Sequence, residues 1–198
     1  MDLLLIRHGQ SNANAKGLLI SNRDDQLTEI GRQQSLNLAK TLEIFNFNKP
    51  SLIFSSPWLR AKQTAELIFS EKYLIRFDER LAETNPGKFG TWLEADFNLK
   101  YPEFSKNIKN EYADGESHFQ MSTRVCNWVD TILMPLSQEP GLIAIVAHGG
   151  PISVILQKLL GMKVELSYPS FTVPNASFTN VRWRYDLNRY CLERVGHV

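Results

Sequence analysis

The sequence predicts an α/β fold: a three-layer α/β/α sandwich around a mostly parallel sheet. Three observations predict it. The runs Leu3–Ile6 and Leu142–Ala147 contain no polar residue, as expected of strands buried on both faces. Segments with helical apolar spacing alternate with such runs, as parallel strands joined by crossover helices require. Both runs also stop at a histidine, in Arg7-His8-Gly9 and His148-Gly149-Gly150, so each strand delivers an imidazole to one edge of the sheet.

The first strand is Leu3–Ile6. Thr28 then reads as the N-cap of a helix to about Leu42, with Gly31, Ser35, Leu38, Ala39 and Leu42 on one face. Its small members allow close approach to a sheet. Leu52–Phe54 suits a second strand. After it, Ser56 is expected to cap a helix that has Pro57 at its first position, where a missing N–H costs little. Leu74–Phe77 is a candidate third strand. From Asp78 to Glu116 the periodicity loosens around Pro86, Gly87, Gly90, Pro102 and Gly115, which reads as an insertion with short helices. Ser117 and Gln120 form a capping-box pair, opening a helix with the stripe Met121, Val125, Trp128, Val129, Ile132 and Leu133. After the strand Leu142–Ala147, a Gly-rich turn leads into a helix that Gly161 terminates. Two β-rich runs, Phe178–Trp183 and Tyr190–Val195, flank Asp186-Leu187-Asn188 and predict a closing hairpin.

The chain has 198 residues, enough for one sizeable domain or a core with an inserted subdomain, and a formal net charge of +1. A nucleic-acid binder would show a basic stripe, and none stands out. No apolar run approaches membrane-span length. The Leu3–Ile6 run is too short for a signal peptide's apolar core, and Asp2 stands where a basic flank belongs. Cys126 and Cys191 are far apart and outside any Cys-x-x-Cys spacing, so they read as reduced packing residues. These features predict a cytoplasmic protein with no nucleic-acid or membrane partner, and no motif fixes an oligomeric state.

Ligands of open α/β sheets bind beyond the carboxyl ends of the strands. His8 and His148 should therefore meet there. Arg60, near the start of the helix after the second strand, faces the same edge. Gly149 and Gly150 leave backbone amides open at a helix N-terminus, which attracts anions. Two histidines, two arginines and helix ends with no carboxylate nearby read as a site for a dianionic phosphoryl group.

Six segments carry a resemblance: "LLLIRHGQSNAN", "SSPWLRAKQTA", "LAETNPG" around Glu83, "YPE", "DGES" and "VAHGGPI". Together, and in this order over residues 3–180, they resemble the histidine phosphatase superfamily, which includes cofactor-dependent phosphoglycerate mutases and many small-molecule phosphatases. The resemblance implies a phosphoglycerate mutase-like fold, one domain over residues 1–198, with an inserted helical cap near residues 78–135. It implies His8 as the nucleophile that becomes a phosphohistidine. Arg7, Arg60 and His148 would bind the transferring phosphoryl oxygens, with Asn14 as a neutral donor. Glu83 would protonate the leaving alcohol and then activate water. Gly149 joins the phosphate contacts, and Ser21, Arg23 and Thr84 are candidate rim contacts. No metal and no cofactor is implied, because fixed cations take the metal's place.

Physical chemistry agrees with these roles. An imidazole attacks only when neutral, and flanking arginines should lower the pKa of His8. Phosphoryl transfer asks mainly for positioning and charge stabilisation.

Each residue also has a plainer reading. Arg60 or Glu83 alone is more often a solvated charge. His8 alone could be a structural histidine, and Asn14 a turn cap. Arg23 could pair with Asp24 or Asp25. His118 and His197 are expected to be exposed and carry no functional assignment. Arg124 and Glu116 are expected to stabilise a helix or its neighbours. Two rival functions remain: a metallohydrolase using the histidines and a carboxylate, and an inactive phosphate-ligand binding protein.

Departures from the mutase pattern favour hydrolysis of a small phosphomonoester. Mutases of the family carry Thr-Gly where this chain has Ile20-Ser21, and Arg-His-Tyr-Gly where it has Thr84-Asn85-Pro86-Gly87. Losing those grips weakens the case for a second anionic group on the substrate, although cofactor-dependent phosphoglycerate mutase remains the alternative.

Overall fold

The structure is a computed structural model that describes residues 1–69, 73–136, 141–164 and 171–198. Six strands form one sheet: β1 (Asp2–Arg7), β2 (Leu52–Ser55), β3 (Ile75–Phe77), β4 (Leu142–Ala147), β5 (Phe178–Arg184) and β6 (Arg189–His197). Their order is β3-β2-β4-β1-β5-β6, with β3, β2, β4 and β1 mutually parallel and the hairpin β5–β6 antiparallel at one side. The expected mostly parallel sheet is therefore present.

Alternation along β1 and β4 divides the core in two. Leu3, Leu5, Ile143 and Ile145 face one side, where they pack with Met121, Val125, Trp128, Ile152 and Ile155. Leu4, Ile6, Ala144 and Val146 face the other, against Leu38, Leu42, Ala61 and Ala65. The helices supplying those partners are α2 (Glu29–Ile44) and α3 (Leu59–Phe69) on one face, and α5 (His118–Trp128) and α7 (Gly149–Leu159) on the other. Two apolar faces, each covered by helices, make the three layers.

Thr28 caps α2 as predicted, its hydroxyl accepting the Gly31 N–H at 3.0 Å. Gly31, Ser35, Leu38 and Leu42 are buried, and Ala39 is half-buried. Small residues matter here because α2 approaches the turn after β1 backbone to backbone. A Cβ on Gly31 would overlap the Gln10 carbonyl, and one on Gly9 would overlap the Gly31 carbonyl. The expected start of α3 shifts. Ser56 accepts the Trp58 N–H at 3.2 Å and closes only a turn, and the helical bonds begin with Lys62 N–H to the Trp58 carbonyl. Pro57 thus precedes the helix rather than opening it.

The segment between β3 and α5 holds only short pieces: 3₁₀ turns at Glu79–Leu81, Gly87–Phe89 and Phe104–Lys106, and α4 (Glu94–Lys100). Phe89, Trp92, Phe97, Tyr101, Phe104 and Tyr112 cluster there, with ring centroids 4.6–6.4 Å apart. The Ser117–Gln120 capping box forms as predicted at the start of α5. The predicted stripe continues beyond Trp128, but through a π turn at Val129–Leu133 before a last turn, α6 (Met134–Leu136). Before β2, α1 (Asn12–Lys16) is a single capped turn that ends at Gly17. Among the described residues no helix is long and apolar enough to cross a membrane.

Candidate active site

β1 and β4 are neighbours in parallel register, with Arg7 opposite Ala147. The next residue of each strand is therefore a histidine at the same height. The His8 and His148 rings lie 5.0 Å apart, edge to face, and both are buried. Residues 140 positions apart in sequence are thus adjacent because of strand pairing alone.

Backbone and side-chain hydrogen bonds hold the turn after β1. The His8 carbonyl accepts the Ala176 N–H and the Asn175 amide, and the Gly9 N–H reaches Thr64 Oγ1 on α3 at 3.1 Å. His8 Nδ1 donates to the Gly9 carbonyl at 2.7 Å, because a carbonyl only accepts. That bond places the ring proton on Nδ1 and leaves Nε2 unprotonated, an acceptor. Arg60 Nε donates to that Nε2 at 3.2 Å. Burial first, then Arg60 and Arg7, push the pKa of His8 well below 6.5, so the neutral ring prevails.

Arg60 is wrapped by backbone. Its guanidinium donates to the carbonyls of Asn22 (3.0 Å) and Ile20 (3.5 Å) and lies 3.8 Å from buried Asp25. Ser21, between those two carbonyls, is buried and holds φ at 80°, a left-handed conformation unusual for serine. The presence of Asp25 corrects the expectation of a site with no carboxylate near its arginines. Even so, burial lowers the pKa of Arg60 to about 10, with Glu83 and Asp25 opposing the shift.

His148 is the N-cap of α7 and makes no side-chain cap bond; Glu83 takes the Gly150 N–H and Pro151 has none, which leaves the Gly149 N–H as the open donor of that turn among the described residues. Its Nε2 lies 2.8 Å from Ser56 Oγ. That hydroxyl already accepts the Trp58 N–H. Where the hydroxyl proton goes to Nε2, the His148 ring proton sits on Nδ1. Burial, then Arg60, His8 and Arg7, hold the pKa of His148 well below 6.5. Arg7 donates through Nη1 to the Val173 carbonyl at 2.5 Å and sits over the start of α7, beside Gly149. Arg7 Nε and His148 Nδ1 are both buried with no hydrogen-bond partner among the described residues.

Glu83 lies against the start of α7. One carboxylate oxygen accepts the Thr84 N–H at 2.9 Å, the other the Gly150 N–H at 3.1 Å. Thr84 is buried, so its contribution to the site is this backbone donor. Asn14 forms the capping box of α1 with Ser11, and its Oδ1 also accepts from Asn175. Its Nδ2 makes no bond among the described residues. Arg23 pairs with Glu79 at 2.9 Å, not with Asp24 or Asp25, and both side chains are exposed. Beyond Glu83 a cleft of about 510 Å³ opens, lined by Asn22, Arg23, Trp58, Glu79 and Asn85 among others.

Sequence reasoning missed several contributors. Asn175, Thr64 and Ser56 hold the two histidines, and only the tertiary structure reveals them. His118 is buried, not exposed as expected, and burial lowers its pKa against the opposing pull of Glu83 and Glu116. Exposed His197 stacks edge-on against Phe45 and Phe178.

A fold with two strand-end histidines buried among guanidinium groups and an open helix N-terminus defines a phosphoryl-handling α/β protein. The family profile of the histidine phosphatase superfamily (branch 1) matches residues 3–193, and this chain belongs to that superfamily. It is 30% identical over 175 residues to adenosylcobalamin/alpha-ribazole phosphatase of Escherichia coli, covering 83% of this chain and 82% of that one. It is 29% identical over 184 residues to the 2,3-bisphosphoglycerate-dependent phosphoglycerate mutase of Thermoplasma acidophilum, covering 89% and 84%. Among solved structures, mycobacterial glucosyl-3-phosphoglycerate phosphatase in complex with VO3 superposes with a TM-score of 0.80 at 26% identity, covering 100% of this chain and 99% of that one.

Proposed function

We propose that this chain hydrolyses phosphomonoesters of small metabolites through a phosphohistidine intermediate on His8. One observation carries the reading: positive charge converges on two neutral, buried imidazoles. Arg7 and Arg60 both act on the two rings, and Arg7 Nε and His148 Nδ1 are buried without a partner among the described residues, close to the Gly149 N–H. Leaving such donors unmet costs about 1–3 kcal/mol each. A phosphoryl dianion supplies acceptors for both.

In this reading His8 Nε2 attacks phosphorus as the ester P–O bond breaks. Glu83 gives its proton to the departing alkoxide. Arg7, Arg60, His148 Nδ1, the Gly149 N–H and Asn14 Nδ2 take up the phosphoryl oxygens, stabilising charge where it accumulates. Water then attacks the phosphohistidine, losing its proton to Glu83. Inorganic phosphate leaves and the neutral ring is restored. No metal or cofactor enters any step. Arg23 lies at the entrance, whereas the expected rim residues Ser21 and Thr84 are buried. The inserted cap is the segment between β3 and α5, since α5 itself covers the sheet, with the aromatic cluster around Phe97 as its own small core.

Hydrolysis is favoured over mutase chemistry by the rim. Both arginines lining the leaving-group cleft are already compensated, Arg23 by Glu79 and Arg124 by Glu116 at 2.6 Å. A second phosphate retained for back-transfer would have to displace one of these carboxylates. Relatives carry both phosphatase and mutase names, so the rim carries this choice. A cytoplasmic location fits two cysteines placed apart, in α5 and β6.

The test is a panel of phosphorylated metabolites scored by phosphate release, with 3-phosphoglycerate isomerisation followed alongside. Vanadate-sensitive, chelator-insensitive phosphate release is expected. Isomerisation to 2-phosphoglycerate without phosphate release would establish the mutase instead. Binding of phosphate esters without turnover would establish the inactive binding protein.

A further inference from the structure

Arg124 of α5 spends its guanidinium on the loop that carries Glu83. Nη1 donates to the carbonyls of Arg80 (2.9 Å) and Ala82 (2.8 Å), and Nη2 donates to the Glu83 carbonyl at 2.9 Å. The same group grips Glu116 through Nη2 (2.6 Å) and Nε (3.2 Å). Glu116 Oε1 in turn accepts the Asn85 N–H at 2.8 Å, and the Asn85 carbonyl accepts the Glu116 N–H at 2.9 Å. The backbone is therefore pinned immediately before and shortly after Thr84, whose N–H holds one Glu83 oxygen. The pair is mostly shielded, with 23% and 19% side-chain exposure, so solvent does not dissolve it as it does an open surface pair.

The anchoring is costly to build for stability alone. Three carbonyls in a non-repetitive loop are met by one side chain from a helix rooted in the core through Met121, Val125 and Trp128. A bidentate guanidinium–carboxylate pair fixes orientation as well as distance. A general acid must lie within hydrogen-bond reach of the leaving oxygen, where a shift of about 1 Å costs about a hundredfold.

We infer that Arg124, locked by Glu116, is a positioning residue for Glu83, holding its carboxylate at the leaving-group oxygen through the peptide on either side. The inference rests on the proposed proton-transfer role of Glu83. The Arg124 guanidinium is occupied by the Arg80, Ala82 and Glu83 carbonyls and by Glu116, so it acts on the Glu83 carboxylate through the peptide.

The experiment compares Arg124→Ala, Arg124→Lys and Glu116→Gln with the parent protein on glycerol 2-phosphate and p-nitrophenyl phosphate, with Glu83→Gln as reference. The p-nitrophenolate group leaves with little protonation, so kcat/KM on this ester, which covers the steps up to phosphohistidine formation, reports on attack by His8. Arg124→Ala is expected to lower kcat/KM on glycerol 2-phosphate roughly ten- to a hundredfold, within the range of general-acid contributions. On p-nitrophenyl phosphate it should change kcat/KM less than threefold, while kcat falls on both esters because the hydrolysis of the phosphohistidine, common to them, also uses Glu83. Arg124→Lys and Glu116→Gln should fall between parent and Arg124→Ala, and they serve as the test if the alanine variant does not fold. Equal losses of kcat/KM on both esters, or no loss on either, would overturn the inference. If Glu83→Gln itself fails to separate the two esters, the role of Glu83 falls and the inference with it. If Glu83→Gln separates them and Arg124→Ala does not, only the inference falls.

Discussion

At the scale of single residues, the site depends on two histidines kept neutral by burial and by arginines. His8→Ala is expected to abolish turnover while circular dichroism and the melting midpoint stay close to the parent, and retained activity would refute its role as nucleophile. The depressed pKa of His8 fixes the sign of the pH dependence. The neutral nucleophile persists below pH 6.5, so the acid limb of kcat/KM lies below that value. Arg60→Gln removes a cause of the depression, and the acid limb should move upward in pH even as the rate falls. A limb that stays put or moves down would show that Arg60 does not act on the ring. Stability follows the same groups. With folded pKa values below the unfolded 6.5 for both His8 and His148, the unfolded chain binds more protons in acid. Their contribution is therefore full above pH 6.5 and lost as pH falls toward the folded values, at about 1.4 kcal/mol per pH unit for each ring. His148→Gln should flatten the decline measured by urea unfolding between pH 6.5 and 5, and an unchanged slope would argue against a buried neutral His148.

At the scale of elements, helix starts and close backbone approaches place the chemistry. A Cβ on Gly150 would overlap Glu83 Oε1 and crowd Met121, so Gly150→Ala should displace the carboxylate. A loss of roughly tenfold or more in kcat/KM is expected on alkyl phosphates, with little change in kcat/KM on p-nitrophenyl phosphate. Equal losses would mean that α7 itself had moved. Gly31→Ala meets the Gln10 backbone and should destabilise by about 1–3 kcal/mol, read as a melting midpoint several degrees lower. Elements with strong local signals were legible in the sequence: β1 and β4 from unbroken aliphatic runs, α2 from Thr28 and its small face, and α5 from its capping box. The start of α3 was not. Ser56 is drawn into a bond with His148, a tertiary demand that overrides its local capping preference. The π turn after Trp128 was equally hidden, because a stripe at positions 121, 125, 128, 129, 132 and 133 does not by itself distinguish the two helical forms.

At the scale of the whole molecule, strand order makes the site. Placing β4 between β1 and β2 sets His8, His148 and the start of α3 side by side, so Arg60 reaches His8 from a third segment. The convergence of Arg7, His8, Arg60 and His148 could be anticipated because each follows a strand directly or opens the next helix. The supporting residues could not, since Asn175, Thr64 and Asp25 act through contacts that local pattern does not encode. His118 was misjudged for the same reason: its helix looks amphipathic, but the insertion covers the end where it sits. The most direct measurement is acid-labile phosphate on the protein. The chain is mixed with p-nitrophenyl phosphate, quenched in alkali within the first turnover, digested, and its peptides sequenced by mass spectrometry. The account predicts phosphate on His8, formed and lost at rates that support turnover and absent from His8→Ala. Steady turnover with no phosphate on His8, or with phosphate on another side chain, would contradict it.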